Sequence, residues 1–253
     1  MEYFVPKNSI VREIWGRSDS ILFIFSGAAA EFALNKAVEW LYYTGRLPAD
    51  PLGRLFSTVA YAHQIVFSEK EAALKAINTI VGIHAGVESS RGAKIPDWAY
   101  RDVLFMLIDY SIRSYELLRR KLTEEEKEEV FDVFYRVGKG MQLAGLPTNY
   151  TEWLHMRQGH LEQDLQRSDY TIDLYKQYKK HLGNVRYRLF KEAQLLVMPL
   201  KVKQLLQSGN YSALSFVVPL YKLCYKLKLD WLIRDILLPK NYKQQIKALD
   251  MAV

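Results

Sequence analysis

The sequence predicts an all-α protein, and three observations support this prediction. Apolar residues recur at helical spacing along most of the 253-residue chain, and no segment alternates like a β-strand beyond a few residues. The 8 prolines and 13 glycines fall mostly between these periodic segments, where such residues end helices. With 49% apolar and 25% charged residues, the chain can bury a core. We therefore expect one compact multi-helix domain followed by a basic helical extension.

Local signals place the helices of the first third of the chain. Asp19 is expected to cap a helix that runs over about 19–43, with Gly45 as its stop. Asp50-Pro51 opens the next helix, because proline is pre-organised for the first helical position. Ser68-Glu69-Lys70-Glu71 has the pattern of a capping box, in which the first and last side chains satisfy each other's free amide groups.

Similar signals continue through the second half. Pro96-Asp97 begins a helix that ends near Lys121, and Thr123-Glu124-Glu125-Glu126 is a second capping box. The break at Gly145-Leu146-Pro147 precedes a helix over about 150–166. Helix-breaking residues divide the remainder into shorter helices: Gly183, Pro199, Gly209 and Pro219.

The positive charge is concentrated at the C-terminal end. Residues 1–175 carry 20 basic and 24 acidic side chains, whereas residues 176–253 carry 15 and 4. Basic residues alternate with bulky apolar ones over 221–229, which is typical of an amphipathic helix on a lipid or protein surface. A packed helix with solvated lysines is the alternative. We expect a helical domain over 20–206, packed basic helices over 207–253, peripheral contact with an anionic membrane and no nucleic-acid partner.

Three further features bear on location. The single cysteine, Cys224, excludes an internal disulfide and a multi-cysteine metal site. The N-terminus lacks a basic segment followed by an apolar run, so no secretory signal is expected, and we predict a cytoplasmic location. The most apolar stretch, 21–43, is interrupted by Glu31, Lys36 and Glu39, each costly at a bilayer centre.

Several common enzyme motifs are absent from the sequence. It contains no glycine-rich dinucleotide motif, no P-loop, no His-Glu-x-x-His and no Gly-x-Ser-x-Gly, so kinase, dinucleotide and hydrolase functions have no support. Glu152-x-x-His155 is a Glu-x-x-His step of the kind found in di-iron bundles. Those sites need two such steps, and the chain has only this one.

Two groups of residues have chemistry that suits a cofactor. His84 lies in the apolar segment 80–87 among small residues, and a neutral imidazole is a common iron ligand. Arg54 and Thr58 are four residues apart on one helix face, where they suit an anionic group or bound oxygen. A core histidine and an ordinary helix–helix contact are the respective alternatives.

The order and spacing of several motifs resemble a known family. From Ser26-Gly27-Ala28-Ala29-Ala30 to about Leu206, the chain is similar to the catalytic domain of the mycophenolic-acid-pathway oxygenase and of the rubber oxygenase, or latex-clearing protein. The landmarks are Asp50-Pro51-Leu52-Gly53-Arg54-Leu55, Arg54-x-x-x-Thr58, His84-x-x-Val87, Tyr100-Arg101-Asp102, Leu122-Thr123-Glu124-Glu125 and the turn at Leu146-Pro147.

The resemblance implies an all-helical domain that binds haem b and uses dioxygen on an apolar, isoprenoid-like small molecule. It implies that His84 is the axial ligand of the iron and that Arg54 and Thr58 are distal, catalytic residues. Ser57 stands where rubber-cleaving members have a lysine, and Asp109 occupies a position where many members have a histidine. On this position alone, Asp109 is the third candidate catalytic residue. A non-catalytic relative that has lost haem and serves as a membrane-surface or binding protein is the alternative.

Overall fold

The computed structural model describes residues 2–226, and these form twelve α-helices and one 3₁₀ turn with no β-strand. The all-α prediction is thus confirmed. The first six helices are α1 (Ile10–Trp15), α2 (Ser18–Phe32), α3 (Val38–Tyr43), α4 (Arg46–Ala49), α5 (Pro51–Phe67) and α6 (Lys70–Arg91). The others are α7 (Asp97–Leu118), α8 (Glu124–Gly140), α9 (Tyr150–Gln163), α10 (Asp169–Val197), α11 (Leu200–Leu205) and α12 (Val217–Lys226), which follows a 3₁₀ turn over Ala213–Phe216.

Helix α2 forms the centre of the packing. It lies against α7 and α10, while α5 packs on α6 and α7 packs on α8. Large side chains that are fully buried at these contacts include Trp15, Ile24, Tyr110 and Trp153. Because α2 carries small residues along its middle, its neighbours approach closely, and this brings polar side chains of α2, α7 and α9 together in the interior.

Two predicted helix caps are confirmed, and α7 and α9 begin at Asp97 and Tyr150 as expected. The side chain of Asp50 accepts a hydrogen bond from the backbone N–H of Gly53 at 2.9 Å, and Pro51 is the first residue of α5. Thr123 and Glu126 form the predicted capping box of α8, with their side chains accepting from each other's backbone N–H groups at 3.2 and 2.9 Å.

The prediction that Asp19 caps a helix running over 19–43 is wrong. Helix α2 begins at Ser18 and ends at Phe32, and Asp19 is a buried residue of its first turn. The Asp19 carboxylate instead accepts hydrogen bonds from Arg119 and Tyr221, each at 2.5 Å. The helix breaks because the side chain of Asn35 accepts from the backbone N–H of Ala37 at 2.7 Å, which favours a turn over continued helix.

The capping box predicted at Ser68 is also wrong. Helix α6 begins one residue later than that motif requires, with Glu69 preceding it and making no side-chain cap. The N-terminal segment of the chain takes over the role: the Lys70 N–H donates to the carbonyl of Glu2 at 2.9 Å, and the Phe4 N–H donates to the carbonyl of Ser68 at 3.4 Å. A backbone partner far away in sequence therefore replaces the local cap.

The C-terminal helices follow three of the four predicted breaks, whereas the break predicted at Pro219 is wrong because this proline lies in the first turn of α12, where a missing N–H is tolerated. Gly183 has a φ of 72°, in the left-handed region, and marks a kink inside α10. Helix α12 contacts α7, with the side chain of Tyr221 buried. Residues 227–253 of the predicted basic extension lie outside the described residues. Within 2–226, no helix has both the length and the apolar content that crossing a bilayer requires.

Candidate functional site

Helix α5 presents Arg54 and Thr58 as a connected pair. The Arg54 guanidinium donates from Nη1 to Oγ1 of Thr58 at 3.0 Å and to Oγ of Ser57 at 3.3 Å. The Thr58 hydroxyl in turn donates to the Arg54 carbonyl at 3.2 Å. Both residues are partly buried. The four-residue spacing thus produces a directed, positively charged donor, as the sequence predicted.

His84 lies on the neighbouring helix α6, near this pair. Its ring packs against the ring of Tyr100, with centroids 5.0 Å apart. Burial and, to a smaller extent, the nearby charge of Arg54 lower the pKa of His84 to about 4, and the carboxylate of Glu88 opposes them only weakly. The imidazole is therefore neutral at physiological pH, which is the form that binds a metal ion.

One ring nitrogen of His84 has no hydrogen-bond partner. Nδ1 is buried, and no donor or acceptor among residues 2–226 bonds to it. A buried polar atom without a partner destabilises a fold by about 1–3 kcal/mol, so such an atom needs an explanation. An absent ligand atom at this nitrogen supplies one.

The small residues beside His84 do not open the space at its ring. Gly82 and Gly86 are two residues away on either side, and residues two apart on a helix point in roughly opposite directions. A Cβ added at either glycine would meet no atom within 4 Å, because that face of α6 is exposed. His84 is therefore a candidate ligand because its Nδ1 is unpartnered and because Arg54, hydrogen-bonded to Thr58, lies nearby.

The structure brings Arg54, Thr58 and His84 together but places Asp109 elsewhere. Asp109 is nine residues beyond Tyr100 on α7, which corresponds to about 13 Å along the helix. Its carboxylate pairs with Arg113 at 2.6 Å and with Arg157 at 2.8 Å. Its contacts thus belong to the interior between α7 and α9.

This interior holds a set of charged and polar side chains, which we name the core polar network: Glu31, Asn35, Asp102, Asp109, Tyr110, Arg157 and His160. Arg157 donates to both carboxylates nearest to it, with Nη2 2.7 Å from Oε2 of Glu31 and Nε 3.0 Å from Oδ2 of Asp109. The Tyr110 hydroxyl donates to Oε2 of Glu31 at 2.8 Å. Glu31 is fully buried, so these partners replace all of its hydration.

The ionisation of the core polar network follows from these contacts. Burial alone would raise the pKa of Glu31, but Arg157 and His160 lower it to about 2. Burial alone would lower the pKa of His160, but the adjacent carboxylates of Asp102 and Glu31 raise it to about 9. At neutral pH the network therefore contains an ionised Glu31 and a positively charged His160.

Sequence reasoning did not predict the core polar network. One signal was present: Glu31 interrupts the most apolar stretch of the chain, and a carboxylate there must find a partner when it is buried. Arg157 and His160 are three residues apart and share a face of α9. Nothing local indicates that this face meets Glu31, 126 residues away from Arg157 in sequence.

A cleft of about 570 Å³ opens between α9 and the start of α11. Its walls include Arg113, Gln158, Met198 and Lys201, whereas Arg54, Thr58 and His84 do not line it. The cleft and the Arg54–His84 site are therefore separate features of the surface.

The fold and the site define an all-helical protein with a neutral histidine beside an arginine–threonine pair on the adjacent helix. The family described as ER-bound oxygenase mpaB/B′/rubber oxygenase, catalytic domain, matches residues 15–225. The chain belongs to this family, which confirms the resemblance that its motifs carry. No curated protein and no solved structure gives a significant match.

Proposed function

We propose that this protein is a haem b-dependent oxygenase that uses dioxygen on an apolar, isoprenoid-like small molecule. The observation that carries the proposal is the buried, unpartnered Nδ1 of His84 on a neutral imidazole. The family description, which names oxygenases, supports the reaction class. The chemistry of the side chains fits the group, because haem iron needs a protein ligand and a neutral histidine is a common one.

In this proposal each residue has a separate role. His84 would hold the iron, and bound haem would supply the centre at which dioxygen is activated. Arg54 would stabilise negative charge that develops on oxygen, because a positioned guanidinium is a strong donor in a partly buried site. Thr58 would keep the guanidinium aimed, since its Oγ1 accepts from Nη1.

Asp109 has no part in this mechanism, because its carboxylate is paired with Arg113 and Arg157. This arrangement favours the second candidate function, a non-catalytic relative that has lost haem. In that case the position where many family members have a histidine serves to balance the charge of Arg157. Haem binding distinguishes the two candidates.

The test of the proposal is the visible spectrum of purified protein supplied with haem. We expect the wild-type protein to bind one haem and to show a strong absorption band near the violet end of the visible range. His84→Ala should lose this band or shift it, because the iron loses its axial ligand. His155→Ala, which removes an exposed histidine of α9, should retain the wild-type spectrum. A colourless wild-type protein would favour the non-catalytic relative, and an unchanged His84→Ala spectrum would exclude His84 as ligand.

We also propose peripheral contact with anionic membranes through the C-terminal end. Phe216, Leu220 and Leu223 are exposed apolar residues at and within α12, with side chains 87, 56 and 54% exposed. The net positive charge of residues 176–253 adds an electrostatic attraction, worth about 1 kcal/mol for each basic residue close to an anionic surface. An apolar face with basic neighbours is typical of helices that lie in the lipid headgroup region.

Sedimentation with anionic and with neutral vesicles, each at low and high salt, tests the membrane proposal. We expect binding to anionic vesicles at low salt, weakened by added salt because screening shortens the reach of the charges. Leu223→Glu should reduce it, whereas Val185→Glu, at a more exposed apolar position on α10, should not. Equal recovery of the protein in the supernatant under all four conditions would contradict membrane binding and favour the alternative, a packed helix with solvated lysines.

A further inference from the structure

His160 sits between carboxylates on both of its ring nitrogens. Nε2 lies 2.8 Å from Oε1 of Glu31. On the other side, Nδ1 lies 2.8 Å from Oδ1 of Asp102 and 3.6 Å from Oδ2 of Asp164. The nitrogen and the two carboxylate oxygens all lie within 4.8 Å of one another. One nitrogen and two oxygen atoms thus converge on a single point between α7 and the end of α9.

The Nδ1 atom of His160 has no hydrogen-bond partner among the described residues. His160 is only 3% exposed, and its Nδ1 makes no hydrogen bond of acceptable geometry despite its short distance to Asp102. An ion pair without a well-directed hydrogen bond leaves a buried nitrogen aimed at the space between Asp102 and Asp164. This is a second observation, beside the carboxylates themselves, that indicates a missing cation.

The candidate ligands His160 and Asp102 are held by hydrogen bonds of the kind that usually orient metal ligands. Metal-binding histidines nearly always have the other ring nitrogen bonded to a carboxylate or carbonyl, and Glu31 provides this contact at Nε2. Ligating carboxylates are themselves hydrogen-bonded, and Nδ2 of Asn35 donates to the second oxygen of Asp102 at 2.9 Å. Glu31 and Asn35 therefore fix the orientation of both buried ligands.

We propose that Asp102, His160 and Asp164 bind a divalent first-row transition metal ion such as Zn²⁺ or Mn²⁺, which displaces the Nδ1 proton of His160 to solvent. Bonds of about 2.0–2.2 Å at tetrahedral or octahedral angles separate neighbouring ligand atoms by roughly 2.8–3.6 Å. The two separations from Nδ1, 2.8 and 3.6 Å, lie at the two ends of this range, and the two carboxylate oxygens lie within 4.8 Å of each other. The nitrogen ligand disfavours Ca²⁺ and Mg²⁺, which prefer oxygen atoms alone.

The site has a route to solvent. The side chain of Asp164 is 26% exposed, while those of Asp102 and His160 are 4 and 2% exposed. An ion can therefore enter past Asp164, and water can complete its coordination on that side. The site is distinct from His84 and does not depend on the proposed haem. Its position next to Glu31 indicates that a bound ion would brace the packing of α2, α7 and α9.

The test is metal binding by the full-length protein after removal of bound metals with a chelator. Titration calorimetry with Zn²⁺ and Mn²⁺ should show one equivalent bound, and saturating metal should raise the melting temperature. Co²⁺ should give visible absorption bands that report nitrogen and oxygen ligation. Asp164→Asn should weaken binding at least tenfold, since it removes a charged ligand. Glu162→Gln, at an exposed position two residues away, should bind like the wild type.

Three results would overturn the proposal. Failure of the wild-type protein to bind either ion would show that the cluster is an ion-pair network with a proton on Nδ1. Equal binding by wild type and Asp164→Asn would place the metal elsewhere on the surface. Equal loss of binding in Asp164→Asn and Glu162→Gln would also contradict it. If Asp164→Asn does not fold, Asp164→Ser serves instead, because the residue ends α9 and its side chain reaches solvent.

Discussion

Arg157→Met should lower the free energy of unfolding by about 3–5 kcal/mol, the cost of removing one partner from a buried ion pair. Arg157 is 4% exposed and donates to the carboxylates of Glu31 and Asp109. Its loss would leave two buried carboxylates without the cation that they share, with only His160 beside Glu31 and the partly exposed Arg113 beside Asp109. Methionine is uncharged and fills much of the space that the aliphatic part of the arginine side chain occupies. The effect on stability therefore measures lost charge compensation more than lost packing. Urea denaturation followed by circular dichroism measures the difference.

Two further variants make this result specific. Lys70→Met removes the exposed ion pair with Glu2, whose side chains are 52 and 73% exposed, and should cost no more than about 1 kcal/mol. Adding Glu31→Gln to Arg157→Met should recover part of the loss, because one uncompensated charge disappears. A loss of less than 1 kcal/mol for Arg157→Met would contradict the view that Arg157 balances the core polar network.

Gly27→Ala should destabilise the protein by about 1–3 kcal/mol, although alanine favours helices over glycine by about 1 kcal/mol. A Cβ at residue 27 would overlap the ring atoms Cδ1 and Cε1 of Tyr110 and would lie 2.9 Å from Cγ2 of Val197. Tyr110 is fully buried, and its hydroxyl is held by Glu31, so its ring cannot move aside without breaking that hydrogen bond. Thermal and urea unfolding measure the change.

Gly159→Ala is the matched control for this prediction. Gly159 also lies inside a helix, but a Cβ there would meet no atom within 4 Å. We therefore expect this variant to stabilise the protein by about 0.5–1 kcal/mol through helix propensity alone. The two substitutions differ only in what surrounds the added methyl group, and opposite signs are expected. A neutral or stabilising Gly27→Ala would mean that α2 and α7 can separate there at little cost.

Local signals predicted the helices well where the partner of a cap is nearby in sequence. Thr123 with Glu126, and Asp50 with Pro51, form caps from neighbouring residues, and both predictions are confirmed. The predictions at Asp19 and at Ser68 are wrong because distant groups intervene. Arg119 and Tyr221 bind the Asp19 carboxylate, and the backbone of residues 2–4 meets the start of α6. No pattern within a few residues reports such contacts.

In the candidate site, too, the sequence predicted the contact between neighbouring residues but not the contact between distant helices. The four-residue spacing of Arg54 and Thr58 predicted a shared helix face, and their hydrogen bond follows from that spacing. The position of Asp109 came from motif order alone. The structure places its carboxylate against Arg157 on α9, which lies 48 residues further along the chain. Motif order cannot reveal which face of α7 meets α9.

The sequence by itself determined the all-α class, most helix boundaries, the family and the Arg54–Thr58 pair. These properties depend on periodicity, caps and spacing, which operate over a few residues. Only the tertiary structure decided that Glu31 pairs with Arg157 and that His160 faces Asp102 and Asp164. It also decided that His84 keeps a buried nitrogen without a partner. Burial removes water from each of these groups, and which neighbour replaces that water depends on how distant helices pack.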